Sequence, residues 1–260
     1  MKTQLTIIAA AVALSASFSV SANQQYDNAT LNPNASAANN TANPRFNSLE
    51  SQRESMDHFE IGDSAKRTSI ISQEDSGNFA EASQMGQEQY SRIQQSGDFN
   101  GAFVRQKGES HESLIKQVSD GSTGNLAEVT QIGGTLNDSY VYQNGDGNTA
   151  DVDQVNNSDR SDSMIEQWGN GNKATVLQEN NADETWSLIS QNGEGNIANV
   201  EQFDAELSAS YIYQTGNAGH VADVYQTGAS HASTIRQNDT AAYAQHTQTG
   251  SNNTAVTTQW

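Results

Sequence analysis

The chain is 260 residues long, 34% hydrophobic and 7% aromatic, with no cysteine and a net charge of -19. So little apolar material cannot fill a conventional core, and it would leave the chain unfolded unless repetition supplied order. The absent cysteines exclude disulfides, thiol catalysis and thiolate metal sites. A pI of about 4.3 leaves no basic stripe to meet the phosphates of nucleic acid.

Residues 1–22 read as an export signal: Lys2, the apolar stretch LTIIAAAVALSASFSV, and the small-residue site Val20, Ser21 and Ala22. A membrane anchor is the alternative, but the run is short for one and polar sequence follows it. Residues 23–68 are Asn-rich at first, hold both prolines (Pro33 and Pro44), and read as a mostly disordered leader. Their charged second half, 48–68, leaves open a degenerate strand near His58 to Glu60.

From residue 69 to 260 the chain is an array. A glutamine returns every 11 to 14 residues: Gln73, Gln84, Gln95, Gln106, Gln117, Gln131, Gln143, Gln154, Gln167, Gln178, Gln191, Gln202, Gln214, Gln226, Gln237, Gln248 and Gln259. Four residues before each one, serine alternates with alanine. Serine stands at 69, 91, 113, 139, 163, 187, 210 and 233. Alanine stands at 80, 102, 127, 150, 174, 198, 222 and 244, with Ala255 closing the series. Two residues before each glutamine comes Ile or Val, with Ala82, His246 and Thr257 as the departures.

A spacing of two puts Ser or Ala, the aliphatic and Gln on one face of a short strand, with mixed residues on the other. Glycine usually follows the glutamine by two, as at Gly97, Gly145, Gly169 and Gly193. The Ser-to-Ala turn adds an asparagine two before the alanine, as at Asn100, Asn148, Asn172 and Asn196. The Ala-to-Ser turn lacks it, so the two corners of each unit differ. Both sets are turn residues.

One such unit has a single aliphatic per strand and cannot bury a core alone; stacked units can. The expected fold is an all-β solenoid of strand–turn–strand repeats with two facing parallel sheets. In such a stack each glutamine meets another at the strand spacing of about 4.8 Å. Its amide can donate to one neighbour while its carbonyl accepts from the other. These glutamines are therefore expected to be an amyloid-type ladder, with open rungs at each end of the molecule.

Rival chemistries fare poorly. His58, His111, His220, His231 and His246 share no ligand spacing, and the carboxylates lack a pocket to separate their pKa values. No catalytic residue, metal site or cofactor is expected, and the protein does not read as an enzyme.

The stretches SYVYQNGDGNTADVDQ, SMIEQWGNGNKATVLQ and SLISQNGEGNIANVEQ resemble the curlin repeat, with its Q-x-G-x-G-N-x-A-x3-Q core. The resemblance runs from Ser69 to Trp260. It implies a secreted subunit that self-assembles into curli, the extracellular functional amyloid fibres of biofilm matrix on Gram-negative-type bacteria. The partners it implies are further copies of the chain, a nucleator subunit, an outer-membrane secretion pore and accessory chaperones. It likens residues 23–68 to the leader read by that pore. The Ser/Ala alternation is similar to the major, polymerising subunit; the alternatives are the minor nucleating subunit and a monomeric secreted solenoid adhesin.

Overall fold

Each pentad makes a strand with one small apolar face, and nothing within its own unit is large enough to bury that face. The computed structural model describes residues 67–217 and 219–260, and every regular element in them is a strand. The signal reading (1–22) and the leader as far as residue 66 lie outside the described residues, the strand near His58 included.

Consecutive strands alternate between two parallel sheets. The nine-stranded sheet holds β1 (Thr68–Gln73), β3 (Tyr90–Ser96), β5 (Glu112–Val118), β7 (Asp138–Asn144), β9 (Asp162–Trp168), β11 (Trp186–Gly193), β13 (Ala209–Gly216), β15 (Ala232–Asn238) and β17 (Thr254–Gln259). The eight-stranded sheet holds β2 (Phe79–Gln87), β4 (Gly101–Glu109), β6 (Leu126–Thr135), β8 (Thr149–Val155), β10 (Lys173–Glu179), β12 (Ile197–Glu206), β14 (Val221–Ala229) and β16 (Tyr243–Ser251). The chain is a β-solenoid of about eight turns.

Register follows the repeat. Ser187 pairs with Ser210, Ile189 with Ile212 and Gln191 with Gln214 in one sheet; Ala174 pairs with Ala198, Val176 with Val200 and Gln178 with Gln202 in the other. A slip of one residue would turn every aliphatic outward, so burial holds the register. The long step from Gln117 to Gln131 is absorbed within the corner at 119–125, so Ala102 still pairs with Ala127 and Gln106 with Gln131. A smaller irregularity follows Gln131: the β4–β6 register shifts between Lys107 and Glu109, and Gly133 and Gly134 take positive φ.

The core is one column of aliphatics per sheet. Ile93, Ile115, Val141, Ile165, Ile189, Ile212 and Ile235 face Val104, Val129, Val152, Val176, Val200 and Val224, none more than 3% exposed. Each such side chain contributes roughly 1.5–3 kcal/mol on burial. The outward faces differ from one another more than the mixed sequence suggested. On the eight-stranded sheet the middle column is polar from β6 to β14: Glu128, Asp151, Thr175, Asn199, Asp223, with Phe103 of β4 below them. On the nine-stranded sheet it is Leu114, Tyr140, Met164, Leu188, Tyr211, part of a second apolar cluster with Trp186, Ala209 and Ala232.

Candidate assembly site

A glutamine that closes a strand stands beside the one in the coil above, and the strand spacing brings their carboxamides into hydrogen-bond range. In the nine-stranded sheet Nε2 of each glutamine donates to Oε1 of the next, through Gln73, Gln95, Gln117, Gln143, Gln167, Gln191, Gln214, Gln237 and Gln259, at 2.7–2.9 Å. A second ladder joins Gln84, Gln106, Gln131, Gln154, Gln178, Gln202, Gln226 and Gln248 at 2.8–2.9 Å.

The other amide hydrogen reaches across the core to the carbonyl of the residue that opens the preceding strand. Gln106 donates to Tyr90, Gln167 to Thr149 and Gln259 to Tyr243, at 2.9–3.0 Å. A backbone carbonyl can only accept, so these bonds fix which end of each carboxamide is nitrogen. Both ladders therefore point the same way along the stack, donors toward the C-terminal end.

At the Ser-to-Ala corners the asparagines form a third column. The backbone N–H of Asn125, Asn148, Asn172 and Asn196 donates to Oδ1 of the asparagine one coil below, at 3.0 Å in each case. Below these, Asn100 donates to Asn78. Nδ2 of Asn148 and Asn172 caps the carbonyls of Gly169 and Gly193 in the coil above, at 2.7 and 2.8 Å. Gly97, Gly145, Gly169 and Gly193 have positive φ, and a Cβ on any of them would strike a carbonyl of the next coil. The column ends where His220 replaces asparagine, its N–H still donating to Asn196 Oδ1 at 3.0 Å.

The opposite corner also has a buried polar column, missed in the sequence because its residues vary. Gln89, His111, Asn137, Ser161, Thr185, Ser208 and His231 all stand two before the strand-opening serine and are at most 1% exposed. Several do the asparagine's work with other chemistry. The Ser161 N–H donates to Asn137 Oδ1 at 3.0 Å and the His231 N–H to Ser208 Oγ at 3.1 Å. The shared signal was position and hydrogen-bonding capacity, not residue type. Burial pushes the His111 imidazole down to about 4.

The last coil departs from the aliphatic rule. His246 and Thr257 take two core positions, and the imidazole lies 2.8 Å from both Ser233 Oγ and Thr257 Oγ1. Burial lowers the His246 pKa. At the other end Ile70, Ile71, Phe79 and Met85 are exposed. Among the described residues no group of three His, Cys, Asp or Glu could hold a metal ion.

Residues 123–155, which span β6, β7 and β8 with both intervening corners, match the family of the curlin associated repeat. This segment carries a curlin repeat. That repeat is structural and not enzymatic. The matched segment includes Gln131, Gln143 and Gln154 together with Gly145 and Asn148, so it holds residues of both ladders and of the asparagine corner. The glutamine contacts recur through the rest of the solenoid, and the asparagine contacts recur up to His220. No curated protein matches the chain.

Proposed function

We propose that this curlin-repeat chain is a secreted structural subunit that self-assembles into extracellular, curli-type functional amyloid fibres. The observation that carries the reading is the pair of glutamine ladders ending at chemically complementary faces. One end presents the carbonyls of Gln73 and Gln84, the other the amides of Gln248 and Gln259. Among the described residues β1 and β2 at one end and β16 and β17 at the other have no strand beyond them, and such edges template addition of another copy. Residues 1–22 serve as the export signal and 23–68 as the leader read by an outer-membrane pore. A nucleator subunit and accessory chaperones are the other partners, and the fibres lie at the cell surface.

The test is aggregation of purified residues 23–260 without other proteins. Thioflavin-binding fibres with a strand spacing of about 4.8 Å along the axis are expected. A chain that stays monomeric at concentrations where amyloid subunits polymerise would overturn the reading.

A further inference from the structure

The described residues form 17 strands, an odd number, and β17 is of the wrong type for its sheet. β17 lies on β15, where Ser233 pairs with Ala255 and Ile235 with Thr257. Every earlier strand of that sheet opens its pentad with serine. The corner into β17 is mismatched in the same way. Gln248-Thr-Gly-Ser-Asn-Asn253-Thr-Ala255 repeats the Ser-to-Ala corner Gln167-Trp-Gly-Asn-Gly-Asn172-Lys-Ala174, asparagine in place, yet it stands on the Ala-to-Ser side. Gly250 and Asn252, with φ of 96° and 57°, keep the turn that Gly228 and Ser230 make on the same side at 109° and 59°, so the mismatch lies in the side chains and not in the backbone. Asn253 Nδ2 donates to Thr249 O at 2.8 Å, as Asn100 Nδ2 does to Ser96 O at 3.1 Å.

Resting on the fibre reading above, we infer that successive copies in the stack are related by a half turn about its axis. The next copy's β1 then sits on β16 and its β2 on β17. The next place along the spiral after β17 is the slot above β16, because strands alternate between sheets. A half turn fills that slot with β1 of the incoming copy. Ala255 then meets Ala80, and Asn253 meets Asn78, which begins an asparagine column of its own. Gln248 donates to Gln73 and Gln259 to Gln84, so both ladders cross the junction unbroken.

Without the half turn, β1 would lie on β17 and the slot above β16 would stay empty. Gln248 and Gln84 of the next copy would then be two strand spacings apart, about 9.6 Å, beyond any hydrogen bond. Asn253 would meet Arg67, which has no acceptor to continue the column.

Paired cysteines decide the matter, since the chain has none of its own. Neighbouring Cα atoms on paired strands lie within the 4.4–6.8 Å range that a disulfide spans. The half turn sets Val256 beside Glu81 of the next copy; the plain stack sets it beside Ile70. All three side chains point outward. Oxidised fibres of the Val256→Cys/Glu81→Cys chain should run as covalent multimers on a non-reducing gel, and those of Val256→Cys/Ile70→Cys as monomers. The reverse pattern overturns the half turn but leaves the fibre reading standing, and fibres that link through neither pair also overturn it. Failure of the unaltered chain to form fibres refutes both. A second readout needs no substitution: mass per length should correspond to eight and a half coils per molecule, about 41 Å, and nine coils, about 43 Å, would refute the half turn.

Discussion

Asn148 Nδ2 donates to the carbonyl of Gly169 one coil above, at 2.7 Å, and that same carbonyl lies 2.2 Å from where a Cβ on Gly145 would stand. One oxygen thus explains two columns. It needs a donor, which the asparagine supplies, and it leaves room only for glycine beneath it.

Gly169 and Gly171 separate the two reasons for glycine. Gly169 has φ +99° and a Cβ there would meet Gly193 O at 2.2 Å, whereas Gly171 has φ +65° and nothing within 4 Å. Gly171→Ala should cost about 1–2 kcal/mol, the strain of a left-handed residue. Gly169→Ala should cost clearly more, because backbone must move. Urea unfolding midpoints compare the two; equal losses would show that turn strain alone accounts for the column.

Removing a rung should be expensive. Gln167→Ala strips partners from Gln143 Nε2, Gln191 Oε1 and the Thr149 carbonyl. Each buried group left unpaired costs about 1–3 kcal/mol. Thr175→Ala, on the outward face, should change stability by less than about 0.5 kcal/mol. Similar unfolding midpoints for the two variants would mean that the ladder contributes little to the fold.

The serines predict the opposite sign. The hydroxyls of Ser163, Ser187 and Ser210 are buried with no hydrogen-bond partner. Ser163→Ala keeps the shape of the strand and removes a desolvated polar group, so stability should rise by about 1 kcal/mol. A loss of that size in calorimetry would mean the hydroxyl is bonded in solution.

Acid should act in two directions. Asp151 is pushed up to about 6, mainly by burial, then by the charges of Asp153 and Glu128, with Lys173 pulling the other way. Its ordinary value is 3.8, so as pH falls from 7 toward 4 the folded chain binds this proton first and gains stability. His111 does the reverse. Below its ordinary value of 6.5 the unfolded chain takes the proton while the folded chain resists until about 4, so stability is lost across that window. Asp151→Asn should reduce the gain and His111→Asn the loss, measured as unfolding midpoints from pH 7 to 4. Asp153 and His246, shifted the same ways by burial, keep the remainder. Unchanged pH profiles in both variants would sink this account.

The repeat was legible because each of its residues does one job in every coil. Ile or Val at the same place in nearly every pentad can only be a core column, and a glutamine every 11 to 14 residues announces its own partner. The corner before the serine strands was not legible. His111, Asn137, Ser161 and Thr185 share burial and a hydrogen-bonding role but no side chain. The apolar outer column through Tyr140, Met164 and Leu188 escaped for a related reason. Aromatic, thioether and aliphatic residues 24 positions apart look unrelated until the coils are stacked.

The shared direction of the glutamine amides has an electrical consequence. Backbone dipoles in a sheet alternate and nearly cancel, as they do not in a helix. The carboxamides of the two ladders do not alternate: from Gln73 to Gln259 and from Gln84 to Gln248 each nitrogen faces the C-terminal end. Each molecule is thus a short polarised rod, and its polarisation would add along any stack that keeps the ladders continuous. Such a fibre should orient in an electric field, and its two tips should draw ions of opposite sign.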